Sequence, residues 1–183
     1  DPLTGDDHLL FTASMATSST DFDGAVGIAT RRGDDELEGW ESHPPLLTAD
    51  GVNNELERPH VVVHDGRYHL FVSTQARTFH PEVTGPTGLY GWVADQLGGP
   101  YRPLNGSGLV FTNPPEEPFQ AYSWLVLDDL TVYGFVDQHS LGGRHPEDLD
   151  RDGADVARRH FGGTLAPPLR IELDDERARL ARG

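Results

Sequence analysis

The chain has 183 residues, with 30 acidic against 14 basic side chains and a formal net charge of −16. That length suits one domain or a piece of a larger one. So acidic a surface repels phosphate backbones and anionic bilayers, which excludes nucleic acid and membrane as partners, and the absence of Cys excludes disulfides and thiolate metal sites.

In chain order, Asp1-Pro2-Leu3-Thr4-Gly5 reads as a turn feeding a first strand, HLLFTAS at 8–14. GAVGIAT (24–30), PHVVVH (59–64) and RYHLFVST (67–74) follow, the last two joined by Asp65-Gly66. Two-residue hairpin loops demand positive φ, which Gly tolerates. GLYGWVA (88–94), YSWLVL (122–127) and TVYGFV (131–136) are also short and β-rich, with Asp128-Asp129 between the last pair. Regular short strands punctuated by 21 Gly and 14 Pro indicate an all-β sandwich, barrel or propeller. Residues 140–163 read as a polar insertion loop between strands, helical only over 155–161, because the strand-like GGTLAPPLRIEL follows.

Glu55 and Glu57 open the apolar stretch that contains two of these strands. In an extended segment residues i and i+2 share a face, and two like charges so placed raise at least one pKa. A carboxyl that keeps its proton can protonate a leaving oxygen, as glycoside cleavage requires. On spacing alone, solvated carboxylates of a very acidic chain are the better explanation of the pair. The run DLDRDG (148–153) matches the first six positions of an EF-hand loop, but Arg159 stands where a bidentate Glu is required. It reads as a charged loop, with bound calcium as the alternative. The nine His residues show no zinc spacing, and no Ser sits in a nucleophile elbow. Tyr90, Trp92, Tyr122 and Trp124 are of the type that stacks on sugars, yet such residues more often pack a core. Asn105-Gly106-Ser107 and Gly98-Gly99-Pro100 read as turns.

The blocks ELERPHVVVHDGRYHLFVS, GPTGLYGWVADQLGGPYRPLNGSGLV, PFQAYSW and GGTLAPPLRIEL resemble, in order, the second half of glycoside hydrolase family 68. That family comprises levansucrases, inulosucrases and related β-fructofuranosidases. The resemblance runs from about Gly24 onward. It implies that residues 1–183 form the C-terminal portion of a single propeller catalytic domain, roughly the last two to three blades of five. It also implies a retaining reaction in which sucrose donates fructosyl groups to water or fructan acceptors. By that resemblance Glu57 is the acid/base, and Glu55, Leu56, Gln75 and Tyr122 bind substrate.

Three departures accompany it. Gln75 stands where relatives commonly carry Arg or His beside the acceptor site. Asn54 replaces an aspartate that helps to bind calcium in some relatives, so no cofactor is expected. The Trp-Asp signature of the nucleophile has no counterpart in the chain, and Asp1-Pro2 reads as a turn rather than as the rest of the stabilising Arg-Asp-Pro block. The piece alone is therefore expected to be inactive. No initiating Met or signal peptide is seen, so the true start is expected to lie elsewhere, and the family implies an extracellular location. All 14 basic residues are Arg, which fits salt adaptation, though a GC-rich genome depletes Lys as well. Two other readings are a non-catalytic carbohydrate-binding β-domain and a calcium-stabilised β module.

Overall fold

The computed structural model describes residues 1–31 and 39–181. The chain is all-β, in three antiparallel sheets laid side by side. The first contains β1 (His8–Ser14), β2 (Gly24–Arg31) and β3 (Trp40–Thr48), with β2 central. The second contains β4 (Glu57–His64), β5 (Arg67–Thr74) and β6 (Gly88–Ala94), with the short β7 (Arg102–Pro103) and β8 (Leu109–Thr112) along the far side of β6. The third is built on β10 (Thr131–Gln138), which β9 (Ala121–Val126), β11 (Phe161–Leu165) and β12 (Leu169–Asp174) all join, and β13 (Arg177–Leu180) pairs with β12.

Alternation along β5 explains why the sheets stack. Leu70 and Val72 pack with Val26, Leu56 and Tyr90 toward the first sheet. Phe71 points the other way, into a larger core with Tyr122, Trp124, Val126 and Val132 of the third. Both faces of this strand are therefore covered, and its sequence is nearly continuously apolar, as a doubly buried strand requires. Tyr90, Tyr122 and Trp124 are core residues, so three of the four aromatics pack the interior. A Cβ at Gly134 would lie 2.9 Å from Cδ1 of Trp124, so only Gly lets that indole settle on β10.

The expected turns form. Asp65 and Gly66 have φ of 50° and 71° and join His64 to Arg67, which pair directly. The Gly5 N–H reaches the Asp1 carbonyl at 2.8 Å. Asn105 lies in a turn with φ of 57°, and its side-chain amide bonds Ala178 through both its N–H and its C=O. That contact stitches the second sheet to β13.

Two expectations change. Pro44-Pro45 concealed β3, which survives because it is an edge strand, where a missing N–H leaves no ladder bond broken. The register slips between Val26 and Ile28, opposite those prolines. The polar excursion carries α2 (Ala154–His160) close to the expected 155–161, but also α1 (Pro146–Asp152) where a loop was expected, the two separated at Gly153. Pro146 occupies the first helical turn, and the Asp148 carboxylate accepts the His145 N–H at 3.2 Å. Leu149, 1% exposed, anchors the helix. Asp152 pairs with Arg144, and the side chain of Asp150 lies outside the described residues. Asp148 and Asp152 are thus held by helix and ion pair rather than by a metal-binding loop. The excursion closes at its base, where the His139 N–H donates to the His160 carbonyl at 2.9 Å.

Candidate active site

Glu55 precedes β4, and Glu57 is that strand's first residue. A buried polar clamp fixes the entry. Asn53, 1% exposed, accepts the Glu55 N–H at 2.8 Å and donates from Nδ2 to the Thr74 hydroxyl at 3.0 Å. Thr74 in turn donates to the Glu55 carbonyl at 2.8 Å. Both main-chain groups of Glu55 are thereby satisfied by side chains. Leu56 is buried in the core against the first sheet, and its carbonyl accepts the Thr12 hydroxyl at 2.9 Å. With Leu56 turned inward, alternation directs Glu55 and Glu57 to the opposite side.

Glu57 pairs with Ser73, whereas His60 pairs with Phe71, so β4 carries one extra residue between them. Arg58 absorbs this bulge at φ 49°. In β9 the register slips likewise between Leu125↔Tyr133 and Tyr122↔Phe135, and Ser123 adopts φ 55°. Bulges re-aim the neighbouring side chains. These two flank Glu57 and Tyr122, and the Tyr122 hydroxyl donates directly to Oε2 of Glu57. Tyr122 is 5% exposed and rests edge-on against Trp124, ring centres 5.8 Å apart.

Burial first, then the bond to Glu57 and the charges of Glu57 and Glu55, hold the Tyr122 phenol far above its ordinary pKa. A contact with Gln75 pulls weakly the other way. The phenol is therefore a permanent donor to the carboxylate. Its surroundings also place Glu55, Glu57, Gln75 and Tyr122 in one cluster, although 67 residues separate the first from the last.

Gln75 precedes a short 3-10 helix, Ala76–Thr78, whose Thr78 hydroxyl donates to the Gln75 carbonyl at 2.8 Å. The Gln75 side-chain oxygen accepts from Arg77 Nε at 2.7 Å. From Gln75 a cleft of about 570 Å³ opens between β10 and the helical excursion, lined by Arg77, Phe119, Asp137, Gln138 and His145. Burial raises the Asp137 carboxyl pKa, opposed by Arg77, and Oε1 of Gln138 is buried without a hydrogen-bond partner. Such a wall offers donors and acceptors to hydroxyl-rich ligands. Among the described residues, no three His, Asp or Glu side chains are grouped to hold a metal ion.

Asn53, Ser73, Thr74, Thr78, Asp137 and Gln138 were not singled out from the sequence. A local signal exists only for Asn53, Ser73, Thr74 and Thr78, small polar residues around strands that are otherwise apolar.

A family model described as Levansucrase/Invertase matches residues 1–182. Levansucrase LscC of Pseudomonas savastanoi pv. glycinea is 44% identical over 155 residues, covering 85% of this chain and 33% of that protein. Among solved structures, the inulosucrase from Halalkalicoccus jeotgali bound to kestose superposes with a TM-score of 0.92 at 47% identity, covering 98% of this chain and 47% of that one. The levansucrase of Gluconacetobacter diazotrophicus gives 0.72 at 30% identity, over 87% of this chain and 32% of that one. The chain thus spans about a third of the length of the curated relatives it matches.

Proposed function

The chain belongs to the levansucrase/invertase family, glycoside hydrolase family 68, and on that premise we propose that it supplies the acid/base half of a retaining fructosyltransferase acting on sucrose. Its sheets make up roughly the last two to three blades of a five-bladed propeller. The observation that carries the reading is the Tyr122–Glu57 hydrogen bond, beside a second glutamate whose main chain is fully clamped.

Tyr122 occupies Oε2 of Glu57, so the transferable proton rides on Oε1. Glu57 gives that proton to the glucosyl oxygen as the bond to fructose breaks. The carboxylate left behind then takes a proton from water or an acceptor hydroxyl, which attacks the fructosyl-enzyme. Glu55 and Gln75 hydrogen-bond sugar hydroxyls, Leu56 sets the spacing of the two glutamates from within the core, and the cleft beyond Gln75 receives acceptors. The nucleophile and the stabilising aspartate lie outside the residues matched here, so activity belongs to the complete polypeptide and this chain alone is inert. We place that enzyme outside the cell and in a saline medium, in keeping with its acidic, Lys-free composition.

Incubating the complete polypeptide with sucrose tests the reading. Glucose is expected to appear ahead of free fructose, with the difference recovered as fructan or oligosaccharide. Binding of sucrose without any glucose release would instead identify a carbohydrate-binding module. Tyr122→Phe removes one hydrogen bond to a charged group, worth about 1.5–3 kcal/mol. It is expected to lower kcat about 10- to 100-fold with little change in KM, as read from initial rates of glucose release.

A further inference from the structure

β4 and β5 belong to the second sheet and β9 to the third, with no ladder between them. Among the described residues, three hydrogen bonds span the seam between these strands. Tyr122 donates to Glu57, the Trp124 N–H donates to Oγ of Ser73 at 3.0 Å, and the Val126 N–H donates to Nε2 of His60 at 2.9 Å. All three β9 residues alternate along one side of that strand. The last bond differs from the others because its acceptor is an imidazole.

The other ring nitrogen of His60 lies 3.0 Å from the Arg58 carbonyl. A carbonyl only accepts, so Nδ1 must carry the proton, and Nε2 is left with the lone pair that the Val126 N–H requires. The ring is stacked on Phe71, centres 5.7 Å apart and planes at 29°. Arg58 is the left-handed residue of the bulge immediately after Glu57. A long side chain in that conformation costs of order 1–3 kcal/mol and persists only where its surroundings hold it. His60 is what grips it, from one side through Arg58 and from the other through β9.

We propose that His60 is a positioning residue for Glu57: as the neutral Nδ1–H tautomer it locks the Arg58 bulge to β9 and so holds Glu57 against Tyr122. The proposal rests on the acid/base assignment above and deepens it. Burial lowers the pKa of His60, against a smaller opposing effect of the Arg58 carbonyl, which favours the same neutral form. Phe71 from β5 covers one face of the ring, and the Val126 main chain of β9 meets its edge.

Ring-¹⁵N-labelled histidine in the complete polypeptide reads the tautomer directly. A pyridine-type shift at Nε2 and a protonated Nδ1 are expected near neutral pH, and a protonated Nε2 overturns the proposal whatever the turnover. In sucrose kinetics, His60→Leu is expected to lower kcat about 10- to 100-fold, the scale of a small misplacement, with KM nearly unchanged. His60→Gln can place its amide oxygen where Nε2 stood and accept from Val126, and so should recover most of kcat. His60→Asn reaches only Arg58 and should not. If the Gln and Asn variants turn over alike, the link to β9 is irrelevant and the proposal fails, even if the Leu variant does not fold. Glu57→Gln assayed in parallel separates the two ideas. Its loss of activity beside a fully active His60→Leu overturns only the positioning role, whereas its full activity overturns the acid/base assignment.

Discussion

Glu57→Gln in the complete polypeptide is expected to slow sucrose cleavage about a thousandfold, the middle of the range for removing a general acid. The amide matches the carboxyl in shape and still offers an oxygen to the Tyr122 hydroxyl, so the seam between the sheets and the clamp on Glu55 should persist. KM should therefore move little and the melting temperature should be unchanged. What disappears is the proton for the departing glucose. A fructoside whose leaving group is an acidic phenol needs no such proton, so its first cleavage step should be largely spared in the variant. Comparing burst amplitudes for sucrose and for such an aryl fructoside isolates that step. An unchanged rate on sucrose would remove Glu57 from the chemistry.

Acid should destabilise the fold well before its carboxylates titrate, through His69. This residue on β5 is 3% exposed and faces His64 edge-on at 6.2 Å. Burial chiefly, then His64 and Arg67, lower its pKa from 6.5 to about 4. The unfolded chain therefore binds this proton more readily than the native one. The contribution is complete above about pH 6.5 and is lost progressively as pH falls toward 4, amounting to roughly 2–3 kcal/mol in all. His60 shifts in the same direction and adds to the slope. Urea unfolding at a series of pH values between 7 and 4 should show the decline, and His69→Phe should flatten most of it. Identical slopes for the two proteins would mean that His69 is not the group responsible.

The sequence displayed best those elements whose neighbours in the chain are also their neighbours in space. β5 and β6 announce themselves by composition, and Asp65-Gly66 by the dihedral angles it permits. β4 begins two residues before the strand its composition suggests, because Pro59 and the charged pair before it do not look like strand, yet a bulge at Arg58 accommodates them. β3 hid behind two prolines that only an edge position makes tolerable. In α1, the Asp-x-Asp-x-Asp-Gly spacing imitates a cation loop. Pro146, the Asp148 cap and the burial of Leu149 outweigh that spacing, and the last of these depends on packing no local window contains. The two glutamates were visible chiefly because the blocks around them resemble a family; their spacing alone could not separate a site from a solvated surface. The clamp of Asn53 and Thr74 is not legible, since each is an ordinary polar residue until the fold buries it. Tyr122 lies 65 positions from Glu57, and only the fold reveals that the two touch.

The rung between His139 and His160 closes the helical excursion at its base. Lengthening a segment whose ends are already held together costs little conformational entropy, about 0.6 kcal/mol per doubling. Within residues 141–159 the exposed turns can accordingly change in length so long as Leu141 and Leu149 stay buried. Since that excursion forms one flank of the cleft beyond Gln75, one wall of the cleft belongs to an element separate from the strands that carry Glu57 and Tyr122.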